Sequence, residues 1–193
     1  MDDRGGTAAA EQAEQAEQAE GTEEAEGTEE LVRAAEAGDE ATVSQLLSRG
    51  AAVDARDAEG RTGLDRAVHE GRDGAVRVLL SAGADPEQVT GPYAEELPLV
   101  QAATRGHTGI VRQLLAAGAV PDRANGLRAT ALGRAGAEGH TETARVLLEH
   151  GADPHLRWKA LTPAEWAARF GHTGTAEFLR TWAAGPGGPA ATA

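Results

Sequence analysis

"LLSAGADP" at residues 79–86 and "LLEHGADP" at 147–154 are nearly the same phrase, and "LLAAGAVP" stands between them at 114–121. The glycines inside these phrases belong to a ladder, Gly50, Gly83, Gly118 and Gly151, stepping by 33, 35 and 33 residues. A second ladder, Gly38, Gly71, Gly106, Gly139 and Gly171, steps by 33, 35, 33 and 32. Each of its members closes an alanine-rich stretch and precedes a polar-then-apolar run. Two glycine series sharing one period predict a repeat architecture rather than a single unrepeated core.

Within each unit the apolar spacing is helical. Leu64, Ala67 and Val68 fall at i, i+3 and i+4, and Val76, Leu79 and Leu80 repeat that pattern on a second segment. Helices of about eight to ten residues are marginal alone in water, below the roughly 12 to 15 at which isolated ones persist. They must therefore cover one another, so the units stack and the core runs between them. Gly71 and Gly106 are placed to end the first helix in a left-handed cap, and Pro86 and Pro154 to prevent continuation of the second.

Nine residues before each glycine of the second ladder, from Gly71 onward, stands a tetrapeptide: "TGLD" at 62–65, "LPLV" at 97–100, "TALG" at 130–133 and "TPAE" at 162–165. Together with "GHTGIVRQLLAAGA", "GHTETARVLLEHGADP" and "TPAEWAARFGHTG", this resembles the ankyrin repeat, with its T-P-L-H, paired small residues, G-H, V-x-x-L-L and G-A-D. The resemblance implies an all-α solenoid of stacked helix-turn-helix units with finger loops. It covers residues 29–184, in about five repeats near 29–56, 57–91, 92–124, 125–156 and 157–184. Repeat one lacks the tetrapeptide and suits an N-terminal cap. In repeat five Arg180 replaces the leucine of Leu47, Leu80, Leu115 and Leu148, as suits a C-terminal cap. The 35-residue step puts two extra residues into "PEQVTGPYAEE", and no copy keeps the family's fourth-position histidine: Asp65, Val100, Gly133 and Glu165 stand there.

Charge is unevenly spread. Of the formal −13, residues 1–30 hold eleven Asp or Glu and one Arg. The segment "AEQAEQAEQAEGTEEAEGTEE" has almost no bulky apolar side chain, so we expect residues 1–28 to be a disordered acidic tail, with at most a transient helix near 8–20, and 185–193 to be disordered as well. No apolar run approaches a membrane span, and "MDDRGGTAAAEQ" lacks the features of a secretory signal. With no cysteine in the chain, a cytoplasmic protein is expected.

Composition also narrows the chemistry. Lys159 is the single lysine, which excludes a phosphate-cradling G-x-x-x-x-G-K-[ST] loop, and Ser44, Ser48 and Ser81 all sit at framework positions. His107, His140 and His172 recur one repeat apart, about 8 to 10 Å by helix packing, too far to share a metal; we expect them and the threonines that follow to satisfy local backbone groups as the second helix starts. His150 and His155 make at best a two-ligand pair. No cofactor, metal or catalytic group is assigned, and a net negative chain argues against nucleic acid.

What the resemblance implies instead is protein binding through a concave groove, by finger-loop tips and the exposed ends of first helices. Transferred by position, the tips are Glu59, Arg61, Tyr93, Glu95, Leu127, Arg128, Trp158 and Lys159. The helix ends are His69, Glu70, Thr104, Arg105, Ala137, Glu138, Arg169 and Phe170. Trp158 is the preferred anchor, because a tip offers little to bury it, whereas Trp166 reads as filling space and Phe178 and Trp182 as cover for the exposed last helix. On the outer face Arg77, Arg112 and Arg145 form a stripe that is either plain solvated surface or a dock for the acidic tail. The expected function is a monomeric adaptor or scaffold for another protein, away from membranes. The alternative is a small-molecule binder or auxiliary enzyme using a pocket near Trp158, Trp166 and Phe170.

Overall fold

The computed structural model describes residues 25–90 and 96–185. The expectations for Tyr93, Glu95, residues 1–24 and residues 186–193 concern positions outside that set. Residues 25–37 are helical (α1). After them come α2 (Glu40–Ser48), α3 (Gly63–His69), α4 (Asp73–Ser81), α5 (Pro98–Arg105), α6 (Thr108–Ala116), α7 (Ala131–Glu138), α8 (Thr141–Glu149), α9 (Pro163–Arg169) and α10 (Thr173–Ala184). Helix therefore reaches four residues further toward the N-terminus than the sequence reading allowed. Ala25, Glu26, Glu29 and Glu30 extend backward the helix that Leu31 and Ala35 anchor, and both alanine and glutamate favour it.

The helices form two layers. In one, α3, α5, α7 and α9 pack in chain order; in the other, α2, α4, α6, α8 and α10 do the same, and each helix also packs on its partner within a pair. The architecture is an all-α solenoid. Its core is one continuous cluster from Leu31 to Leu179, with Leu64, Leu79, Ile110, Leu114, Leu132 and Leu147 wholly buried. Alanines at 35, 67, 102, 135 and 167 are fully buried and bring the first helices close together.

Three of the turns that join pairs are short hairpins, at 57–61, 125–129 and 158–161, closed by backbone bonds such as Asp57 N–H to Arg61 O (2.9 Å) and Asn125 N–H to Ala129 O (3.0 Å), and Thr90 and Glu96 exchange backbone bonds at 3.0 and 3.2 Å. Fingers are also tied to one another. Asp54 accepts from the Asp85 N–H at 3.2 Å and Asp122 from the Asp153 N–H at 3.0 Å, 31 residues apart in both cases. Arg56 donates to the Val89 carbonyl (2.8 Å), and Glu87 accepts from the Val120 N–H (2.9 Å) and Arg123 (2.6 Å).

The G-H pair does a different job from the one expected. His107, His140 and His172 occupy the N-cap positions of α6, α8 and α10 without a side-chain cap bond. Their rings instead cover the preceding unit: a β-carbon at Gly71, Gly106 or Gly139 would lie 2.8, 2.7 or 2.5 Å from the ring of His107, His140 or His172. Gly106 is at φ +70, so it is required both for the left-handed cap and for this close cover. The His140 Nε2 lies 3.1 Å from the Thr104 carbonyl, which accepts from it across the same boundary. The threonines pair likewise, Thr108 with Thr143 at 2.7 Å and Thr141 with Thr175 at 2.6 Å.

At the fourth tetrapeptide position Asp65 is buried and accepts from the Thr90 hydroxyl (2.7 Å) and Gln101 Nε2 (3.3 Å), linking its unit to the next. Glu165 instead closes a capping box with Thr162 at the start of α9. Phe178 and Trp182, 5.9 Å apart, pack on the end of the core, and Arg180 faces solvent.

Candidate functional site

The first helices leave one face open on the side of the fingers, and a groove of about 330 Å³ runs there from α3 to the last finger. His69, Thr104, Arg105 and Leu127, all expected from their positions, line it. Val100 and Gln101 of α5 form its floor with Arg134 of α7, and Glu96 is the one carboxylate on its wall. Gln101 and Arg134 sit about one helical turn before the helix ends named from sequence, on the same face. A 3.6-residue projection back from 104–105 and 137–138 would have found them.

The groove's polar groups are tied to each other. An Arg105 nitrogen lies 2.6 Å from His69 Nε2, so an unprotonated ring nitrogen accepts from the guanidinium. Arg134 Nε donates to the Thr104 hydroxyl (3.1 Å), which donates to the Val100 carbonyl (2.7 Å). Asn125 closes its finger by accepting from the Ala129 N–H (3.0 Å), which leaves Leu127 at the tip, 55% exposed.

Trp158 departs from expectation. It is only 9% exposed and packs with Ala129, Ala137 and Trp166. Lys159 (φ 46°) and Ala160 (φ 69°) form a two-residue turn between Trp158 and Leu161, whose backbones exchange hydrogen bonds at 3.0 and 3.1 Å. Positive φ at both central residues is the tight hairpin geometry, and it folds the indole back onto α7. There its Nε1 donates to the Leu127 carbonyl (3.1 Å), Trp166 stacks on it with centroids 4.8 Å apart, and Arg134 lies over its ring at 5.4 Å. Trp158 is thus a support under the groove with only an edge in its wall.

Other expected residues lie apart from the groove. Phe170, 57% exposed, stacks on Trp166 at 5.7 Å, and Arg169 lies over the Trp166 ring. Glu138 pairs with Arg134 at 3.3 Å, and Glu70 flanks His69 at 3.7 Å. Arg128 and Lys159 occupy positive-φ turn corners and face solvent. Trp166 sits between Trp158 and Phe170, tilted on the first and stacked on the second.

Glu59 and Arg61 belong to a separate recess of about 230 Å³ near α1, with Glu29, Glu36 and Asp57 on its walls. Burial pushes the Asp57 carboxyl up. Hydrogen bonds from the Arg61 side chain (2.8 Å) and from the backbone N–H groups of Arg61 and Glu59, with the Arg61 charge, outweigh this and hold it below the usual aspartate range. A carboxylate depressed in the folded state contributes stability above its unfolded value, about 3.9, and loses it as pH falls through its folded one. The protection factors of the Glu59 and Arg61 amides, corrected for intrinsic exchange, should thus hold down to about pH 3.9 and fall below it. Protection unchanged to about pH 2 would show that the ionised Asp57 does not hold this finger.

Among the described residues no group of three His, Asp or Glu side chains is placed to hold a metal, and no helix is long and apolar enough to cross a membrane. A family model described as ankyrin repeats, in three copies, matches residues 8–90 and 99–185. Comparison with curated proteins finds no matching sequence.

Proposed function

The chain belongs to the ankyrin-repeat family, whose repeats are generally protein–protein interaction modules, and on that premise we propose that it is a non-enzymatic adaptor or scaffold that holds another protein in the groove over α5 and α7. The observation that carries the reading is the groove itself. It is an open, preformed surface on packed helices, with Leu127 exposed at one edge, Arg105 beside it and a buried tryptophan behind. Arginine and aromatic groups are the side chains most enriched where binding energy concentrates. A rigid surface loses little ordering entropy when it binds.

Site-specific photo-crosslinking tests this in an extract of the source cell. A benzophenone side chain at position 127 should yield a defined adduct with a second protein, whereas the same group at position 77 on the outer layer should not. Equal adducts from both faces, or adducts from position 77 alone, would remove the groove as the binding surface.

A further inference from the structure

The acidic tail needs a cationic surface if it is to dock, and the outer arginine stripe does not offer one. Arg77 lies 2.8 Å from Glu40, Arg112 3.3 Å from Glu142, and Arg145 3.2 Å from the same Glu142. Each charge on that stripe already faces a carboxylate. The other face is different. Among the described residues, Arg105, Arg128, Lys159 and Arg169 make no ion pair with a carboxylate; their contacts are with rings or solvent. Arg134 adds a guanidinium shared with Glu138.

This face is also polarised along the stack. Its α1 end carries Glu29, Glu36, Asp57 and Glu59 against Arg33, with Arg61 bound to Asp57 and Glu59 and Arg66 bound to Glu36, so carboxylates still outnumber cations there. The groove beyond has Arg105 and Arg134 on its walls, with Glu96 beside them and Glu138 on Arg134, and the free cations Arg128, Lys159 and Arg169 lie around it. An anionic segment rooted at α1 is thus repelled at its root and attracted about three units further on.

Residues 1–24 are such a segment, with eight Asp or Glu and one Arg. Glu11, Glu14, Glu17 and Glu20 recur every three residues. In a polyproline-II chain, with three residues per turn and a rise of about 3.1 Å, every third side chain lies on one face about 9 Å from the last, close to the roughly 8 to 10 Å between packed helices, so successive carboxylates can meet successive units. Glu11 is fourteen residues before the first described one, a reach of about 46 to 50 Å. The two or three unit steps from α1 to α5 and α7 need about 16 to 30 Å. We propose that the chain's own residues 8–24 lie in the groove over α5 and α7, held by Arg105 and its neighbouring cations, and must leave it before a partner binds. The proposal rests on the groove being the protein-binding surface.

The chain has no cysteine, so Ala16→Cys creates a single thiol for a spin label. The three tryptophans report separately: Trp158 edges the groove with Trp166 packed on it, and Trp182 lies on α10 in the other layer. In the full chain at low salt, the label should enhance relaxation of the Trp158 and Trp166 indole protons several-fold more than that of Trp182. The difference should vanish at about 1 M salt, where the screening length is about 3 Å. It should vanish too in Arg105→Glu, an exposed site whose described contact is the His69 ring, and when Glu11, Glu14, Glu17 and Glu20 are all changed to Gln. Equal enhancement at all three indoles, or enhancement surviving the Gln changes, overturns the proposal. So does an effect seen only between a labelled copy and an unlabelled one. If tail contact is absent while position 127 still crosslinks a partner, this inference fails and the proposed function stands. If tail contact is present but the Gln variant crosslinks nothing at 127, the reverse holds.

Discussion

Trp158→Ala is expected to lower the free energy of unfolding by about 3 to 5 kcal/mol, the range for emptying a large aromatic site in a core. The side chain is buried against Ala129, Ala137 and Trp166, and its loss strands the Leu127 carbonyl that it now satisfies. Phe170→Ala, at a ring more than half exposed on the same aromatic stack, should cost less than about 1 kcal/mol. Urea midpoints of the two variants decide the matter. Similar small shifts in both would mean that Trp158 is not the support described. The contrast also governs any binding experiment, since loss of partner binding in Trp158→Ala reports a damaged fold as readily as a lost anchor.

Gly136→Ala is expected to destabilise by about 1 to 3 kcal/mol, although alanine is the better helix former by about 1 kcal/mol. A β-carbon there would stand 2.6 Å from the Pro163 carbonyl oxygen and 3.1 Å from its carbon. Backbone cannot rotate aside as a side chain can, so α9 must move off α7, and the last helix pair should unfold at lower denaturant than the rest. Gly174→Ala is the counterpart, because nothing lies within 4 Å of a β-carbon at that position in α10. It should raise stability by up to about 1 kcal/mol by removing unfolded-state freedom. A Gly136→Ala variant as stable as the parent in chemical denaturation would disprove the close approach of α7 and α9.

Both predictions concern places where the sequence was only partly legible. Gly136 lies within an alanine-rich stretch, and nothing local distinguishes it from Gly133, whose β-carbon would meet the Thr130 hydroxyl at 3.2 Å and Trp158 only at 4.0 Å. Which of them faces a neighbouring backbone depends on how α7 sits against α9. Trp158 was misplaced for a related reason. "WKAL" contains neither glycine nor asparagine, the usual marks of a turn with two positive φ angles, yet Lys159 and Ala160 adopt one. Of the residues named from repeat position, His69, Thr104, Arg105 and Leu127 line the groove. Those missed, Val100, Gln101 and Arg134, sit on the same helices about a turn earlier.

By itself the sequence determined that short helices recur with a 33-residue step and must cover one another, because periodicity and chain stiffness are local properties written in every copy. It also placed the acidic charge before the first helix. Only the tertiary structure decided which glycines meet a neighbour, that the histidines cover the unit before them, that the outer arginines are paired with carboxylates while Arg105 by the groove is not, and that Trp158 turns inward. These depend largely on distances between one unit and the next, and such distances arise only when the helices pack.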